Sequence, residues 1–190
     1  MTTLPKSSYE QNNYGNLFYA LSMIYKPKVA VELGVLEGYS LIDIASPMRR
    51  TGDIAYGYDL FEDYEFKHDT QENVQDRLNA FHLDNIKLIK QDAFEAAKNH
   101  EDESVDLLHI DLSNDGEKLK RAFSFWFPKV KIDGLILFEG GSKDRDENEW
   151  MKKYDREPIF CFMDELRNKY KVDFITLSPY PSLTIVRKFK

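Results

Sequence analysis

Cysteine is nearly absent: Cys161 is the only one in 190 residues. No disulfide can form within the chain, and no cysteine-rich metal site can be built. The expected place for this residue is a small buried position on a helix. Long apolar runs are missing as well. Nothing approaches the roughly 18 consecutive apolar residues of a membrane span, and Met1-Thr-Thr-Leu-Pro-Lys-Ser-Ser has no apolar core of signal-peptide length. A cytoplasmic protein with no membrane partner is expected. Positive charge is in deficit, with 26 Lys and Arg against 33 Asp and Glu and a formal net charge of −7. A phosphate backbone must be neutralised by clustered cations, so nucleic acid is not the expected partner. Repeats, low-complexity tracts and linkers are also lacking. The length suits one domain over 1–190, with an N-terminal segment and helix at 1–27 and a core at 28–190.

What is present is an alternation of short apolar runs and helical patterns. Leu17, Phe18, Leu21, Ile24 and Tyr25 are spaced as a helix over 14–25, and Pro27 ends it. Strands are predicted at 29–33, 54–58, 86–89, 105–110 and 135–138. Helices are predicted between them at about 39–48, 71–81, up to 99, and 117–127. In the last of these, Leu119, Ala122, Phe123 and Trp126 share one face. Lys131-Ile-Asp-Gly134 reads as a turn. A helix near 159–170 follows, then two strands at 172–177 and 182–188. They are joined by Ser178-Pro-Tyr-Pro181, which is too short for a crossover helix, so this pair should be antiparallel. Repeated β/α units make a parallel sheet covered by helices on both faces. The expected class is therefore α/β. It is a doubly wound, mostly parallel seven-stranded sheet with an antiparallel C-terminal hairpin, in three α/β/α layers.

The informative stretch is Val29-Ala-Val-Glu32-Leu-Gly34-Val-Leu-Glu-Gly38-Tyr-Ser40. An apolar strand ends beside an acid, and two glycines four residues apart lead into a helix. Gly34 and Gly38 can take backbone angles, or allow a close approach, that a side chain would block. Glu32, Asp59, Asp92, Asp111 and Glu139 each fall at or just past the C-terminal end of a predicted parallel strand. Ligands bind such sheets at those ends. Five carboxylates on one edge would repel one another without a cationic or hydrogen-bond-donating ligand. Singly, each also reads as a solvated or helix-capping acid, Asp92 above all. Asp59 is placed where an acid accepts both hydroxyls of a ribose. NAD and S-adenosylmethionine share that feature, and the glycine turn separates them. A dinucleotide site favours G-x-G-x-x-G packed against a pyrophosphate. An acid before the first glycine opposes a pyrophosphate and suits a ligand with an ammonium or sulfonium group.

These residues resemble the class I S-adenosylmethionine-dependent methyltransferases over roughly residues 14 to 188. Val31-Glu-Leu-Gly34 to Gly38-Tyr-Ser40 is similar to their first motif, and Gly57-Tyr-Asp59-Leu60 to their ribose-binding strand end. Gln91-Asp92-Ala93 resembles the adenine-contacting segment, Leu108-His-Ile-Asp111 the fourth motif, and Gly134-Leu-Ile-Leu-Phe138 the fifth strand. The His-Ile-Asp form points to a subfamily that includes sugar and natural-product O-methyltransferases. The resemblance implies a Rossmann-like fold and S-adenosylmethionine held by Glu32, Gly34, Gly38, Ser40, Asp59, Leu60, Asp92, Ala93 and Asp111. Asp111 and Glu139 would face the acceptor. In the resembling enzymes the acid of His-Ile-Asp helps hold a divalent metal, with a histidine a few residues later and paired acids at the next strand end. Here Asn114 or Asp115 falls near the histidine's place, and Gly140 replaces the second acid. Asp111, Glu139 and Asn114 would be the oxygen ligands of a Mg²⁺ ion.

His109 is either a base next to the acceptor or a hydrogen-bonded core residue. His68, His82 and His100 lie in polar segments expected to be exposed. Two segments could shape the acceptor site. One is Tyr9 to Asn16. The other is Gly140 to Trp150, whose glycines allow a hinge and whose tryptophan could stack on a sugar. The expected acceptor is a small molecule or saccharide, and the pattern leaves room for a homodimer. Two other readings are an S-adenosylmethionine-binding protein without catalysis and an NAD-dependent oxidoreductase.

Overall fold

The computed structural model describes residues 4–66, 69–113 and 115–189. Seven strands form one sheet in the order β3-β2-β1-β4-β5-β7-β6. The chain divides into two compact units, Met1–Ala96 and Ala97–Lys190.

In the first unit, a 3₁₀ turn at Ser8–Asn12 leads into α1 (Tyr14–Tyr25). Ser7 and Glu10 form a capping box at its start. Strands β1 (Val29–Leu33), β2 (Ile54–Asp59) and β3 (Ile86–Lys90) are parallel neighbours, with Val31 opposite Tyr56 and Gly57 opposite Leu88. Helices α2 (Tyr39–Met48), α3 (Gln71–Ala80) and α4 (Ala93–Ala96) connect and follow them. Each strand precedes a helix that returns the chain to the start of the next strand, which is what a parallel pairing requires. Tyr9 and Phe18 are fully buried, and their rings meet edge-on at 5.1 Å. The segment expected to shape the acceptor site thus has Tyr9 as a core residue. The apolar stripe of α1 is narrower than predicted, because Ile24 is 80% exposed.

In the second unit, β4 (Val105–Ile110) pairs in parallel with β5 (Val130–Glu139), and β5 pairs antiparallel with β7 (Leu183–Lys188). β6 (Val172–Leu177) and β7 form the expected hairpin. The predicted face of α5 (Gly116–Trp126) is borne out: Leu119, Ala122, Phe123 and Trp126 are all buried. Strand β5 begins five residues before the predicted Leu135, at Val130. The expected turn Lys131-Ile-Asp-Gly134 lies inside it as an irregularity. Asp133 has φ 64°, and the register with β4 slips between Val105 and Leu107. The charged stretch after β5 holds two short helices, α6 (Lys143–Asp146) and α7 (Glu149–Lys153), ahead of α8 (Phe160–Lys169).

Two single-residue expectations are corrected. Cys161 is exposed on α8, because the buried face of that helix is made by Phe162, Met163 and Leu166. His100 is half-buried, with its ring 5.2 Å from that of Trp126. Burial, with the Lys129 charge, lowers its pKa. His82 is exposed as expected, and His68 lies outside the described residues. No helix among the described residues is long and apolar enough to cross a membrane.

Candidate functional site

The first unit presents the glycine turn. Gly34 and Gly38 have φ of 83° and 89°, the left-handed region that only glycine enters without strain. Gly38 is also the N-terminal cap residue of α2. Between them, Gly34 donates its N–H to the Tyr58 carbonyl at 2.9 Å and Gly38 donates to Val35 at 2.8 Å. The turn is thereby fastened to the end of β2.

Asp59 fastens it further. Its Oδ2 accepts the Val35 N–H at 2.7 Å and the Leu36 N–H at 3.1 Å, while Oδ1 accepts the Phe61 N–H at 2.7 Å. A carboxylate has about four acceptor sites, so one is left for a ligand hydroxyl while the turn is held. The sequence places Asp59 at the strand end, and the structure adds that its first partners are the backbone amides of the turn. Leu60, half-buried, follows it, and Ser40 is buried in the first turn of α2.

Glu32 is completely buried on β1. Asp43, on α2, lies outside the pattern of acids at strand ends. Its carboxyl is pushed up to about 6, first by burial and then by the charge of Glu32. Asp43 and the hydroxyl of Tyr39, one helical turn apart, lie against Gly15 of α1. A Cβ on Gly15 would come within 2.7 Å of that hydroxyl and closer still to Asp43 Oδ2. An acid among Leu41, Ile42, Ile44 and Ala45 is the signal in the sequence that could have found it.

Asp92 takes the capping role. Its Oδ1 accepts the N–H groups of Phe94 at 2.9 Å and Glu95 at 3.2 Å, ahead of the buried Ala93. It is tied to the turn through Gln91, whose N–H donates to the Asp59 carbonyl at 3.0 Å.

The second unit holds the other acids. Asp111, Asp115 and Glu139 line one cleft together with Ile110, Leu119 and Ile159. Asp115 caps α5, its Oδ1 accepting from Glu117 at 3.0 Å and Lys118 at 3.2 Å, and its Oδ2 meets Arg156 Nη1 at 3.3 Å. Glu139 is 5% exposed and forms an ion pair with Arg145, whose Nε donates to Oε1 at 2.9 Å. His109 is completely buried within β4, opposite Leu137 of β5. That is the place of a core histidine. Asn114, the third expected metal ligand, lies outside the described residues.

The residues present do not fit a divalent ion at Glu139, because a guanidinium already holds its carboxylate and a metal there would face that cation. Among the described residues no group of three His, Cys, Asp or Glu is arranged to hold a metal.

The segment after Glu139 is pinned, which corrects its reading as a hinge. Gly140 donates its N–H to the Ser182 carbonyl at 2.7 Å and accepts from the Thr184 hydroxyl at 2.7 Å. Its φ of 102° and that of Gly141, 100°, serve a close approach to β7 and α8. Further on, Asp146 accepts the N–H groups of Ile159 at 3.0 Å and Phe160 at 2.6 Å. Trp150 packs on Tyr154, with ring centroids 5.1 Å apart, and the Arg156 guanidinium lies 5.4 Å from its ring.

Solved structures share this fold at low identity. PaMTH1 of Podospora anserina, a methyltransferase solved with SAH, aligns at a TM-score of 0.74 and 20% identity, covering 97% of this chain and 80% of that one. The O-methyltransferase TomG of Streptomyces achromogenes, involved in tomaymycin synthesis and solved with SAM, aligns at 0.74 and 12%, covering 97% and 82%. A methyltransferase of Geobacter sulfurreducens aligns at 0.68 and 14%, covering 96% and 84%. A curated relative, the uncharacterized protein y4gI of Sinorhizobium fredii (strain NBRC 101917 / NGR234), is 29% identical over 119 residues, 60% of this chain. The match spans only 13% of that relative's length. Residues 31–139, more than half of the sequence and running from β1 to the end of β5, match the methyltransferase-domain family, and the chain belongs to that family.

Proposed function

We propose that this chain is an S-adenosylmethionine-dependent methyltransferase that methylates an oxygen of a small-molecule or saccharide acceptor. The observation that carries the reading is the glycine turn after β1. Its two left-handed glycines sit beside a fully buried glutamate, and its amides are gathered by Asp59. Bound there, S-adenosylmethionine would supply an electrophilic methyl group on a sulfonium. Glu32 would face the cationic methionine end, where an anion is favoured and a pyrophosphate is opposed. Gly34 and Gly38, with Ser40 at the start of α2, would let the ligand approach the backbone. Asp59 would keep one acceptor site for a ribose hydroxyl, with Leu60, Asp92 and Ala93 near the base. Such a site works mainly by alignment, which can remove about 7–11 kcal/mol of a barrier.

In the second unit, Asp111 is the candidate for the acceptor's proton, because Glu139 is paired and His109 is buried in its strand. Binding without transfer is the second reading, and the Glu139–Arg145 pair favours it, since Glu139 is already engaged by a guanidinium. Labelled methyl transfer into a pool of hydroxylated acceptors separates the two. Label should appear in product with the wild-type chain and be lost with Asp111→Ala. Absence of transfer, with the cofactor bound, leaves the binding reading standing.

A further inference from the structure

Between its two glycines, the turn after β1 holds a third residue in the left-handed region, and it is a leucine. Leu36 has φ 52°. There a side chain crowds its own backbone, and Gly, or more rarely Asn or Asp, is the usual occupant. A glycine at 36 would take this angle without strain, as Gly34 and Gly38 do. Forming the turn therefore does not call for a leucine.

Asp59 imposes the angle. The Leu36 N–H donates to its Oδ2 at 3.1 Å. Phe61 is held in the same way, with φ 49° and its N–H donating to Oδ1 at 2.7 Å. The two residues differ in what offsets the strain. Phe61 is 4% exposed, so the burial of its ring stabilises the strained backbone. Leu36 is 39% exposed. The side chain of this turn that enters the core is its neighbour Val35, 2% exposed. Val35 packs towards β2, where a Cβ added to Gly57 would come within 2.9 Å of its Cγ2. A strained residue whose side chain the core does not take up points to function.

The position narrows that function. Leu36 belongs to the turn that begins beside Glu32, and its amide is bonded to Asp59. On the methyl-donor reading the ammonium end lies towards Glu32 and the ribose at Asp59. Between those two ends S-adenosylmethionine has methylenes and the sulfonium, none of which accepts a hydrogen bond. An apolar side chain suits such a stretch, and it excludes water from the reacting centre. We infer that Leu36 is a contact residue of the methyl donor, its exposed side chain packing on the methylene and sulfur segment between the ammonium end and the ribose. This deepens the methyl-donor reading and rests on it.

The test compares S-adenosylhomocysteine with adenosine, which keeps the ribose and base and lacks the segment that Leu36 would touch. S-adenosylhomocysteine is titrated by calorimetry and adenosine by ligand-observed NMR. Three variants separate the side chain from the backbone. Leu36→Ala removes the apolar body, Leu36→Asn tolerates the left-handed angle but is polar, and Leu36→Met keeps an apolar body. Leu36→Ala and Leu36→Asn should bind S-adenosylhomocysteine about fivefold more weakly or worse, while Leu36→Met stays within about twofold of the wild-type chain. Adenosine should bind all four chains within about twofold of one another, because Asp59 is untouched. Unchanged affinity of Leu36→Ala and Leu36→Asn for S-adenosylhomocysteine overturns the proposal. So does a parallel loss for both ligands, which would mean that Leu36 only shapes the turn around Asp59. Either result leaves the methyl-donor reading standing. A wild-type chain that does not bind S-adenosylhomocysteine strikes that reading instead.

Discussion

Asp43 shows how one carboxyl can carry a pH dependence for the first unit. Its pKa is raised from 3.8 to about 6 by burial and by the charge of Glu32. The folded chain therefore holds this proton more tightly than the unfolded chain. The stability it contributes is present in full below pH 3.8 and is lost as the pH rises through about 6. Asp43→Asn should remove that loss. The variant should match the wild-type chain near pH 4 and exceed it at pH 7. Two pKa units set a ceiling of about 3 kcal/mol, reduced by the solvent that a half-buried group still reaches. Urea unfolding at pH 4, 5, 6 and 7 measures the difference, and parallel curves at all four values would sink the argument. Asp43 also explains part of what the sequence hid. A lone acid on a helix reads as solvated, and only the packing of α1 through Gly15 half-buries it within reach of the Glu32 charge.

At the scale of an element, the start of α8 depends on a residue thirteen positions earlier. Ile159 and Phe160 have amides at a helix N-terminus with no intrahelical acceptor, and Asp146 accepts both. The preceding residues Glu157 and Pro158 offer no Ser, Thr or Asn to do so. Asp146→Ala should therefore cost about 1 kcal/mol, within the range for lost caps. It should also loosen the segment that carries Arg145, visible as faster amide exchange at Arg145 and Ile159 than at the centre of α5. Unchanged exchange with unchanged stability would show that water replaces the cap.

Such long-range capping is why the stretch 140–153 reads as a charged loop: its short helices are selected by tertiary partners, not by periodicity. The regular elements are a different case. Strands at 29–33, 105–110 and 172–177, and the helices at 14–25 and 39–48, are visible in the sequence because each buries a face with period 2 or 3.6, or a continuous apolar run. The acids at strand ends are legible for the same reason. The partners of those acids are not legible. That Asp59 would spend itself on amides and Glu139 on Arg145 depends on backbone paths no local pattern encodes.

For the molecule as a whole, the question is how much a bound cofactor should stabilise it. A ligand that binds only the folded chain, at about one hundred times its dissociation constant, adds about 2.7 kcal/mol. In a chain of this length each kcal/mol moves the midpoint by about 2–4 °C, so a rise of roughly 5–11 °C is expected with S-adenosylmethionine or S-adenosylhomocysteine. NAD should give none, because Glu32 opposes its pyrophosphate. Asp59→Ala sharpens the test, provided the right quantity is compared. Removing this carboxylate strips the acceptor from Val35, Leu36 and Phe61, so the ligand-free variant should itself melt lower. A lower midpoint alone is therefore uninformative. What must vanish is the ligand-induced rise, because both the turn that receives the ligand and the acceptor for its ribose are lost together. A variant that melts lower yet still rises by 5–11 °C would show that Asp59 serves the turn's stability and not the cofactor. No rise in the wild-type chain with either adenosyl compound would overturn the assignment of the methyl donor itself.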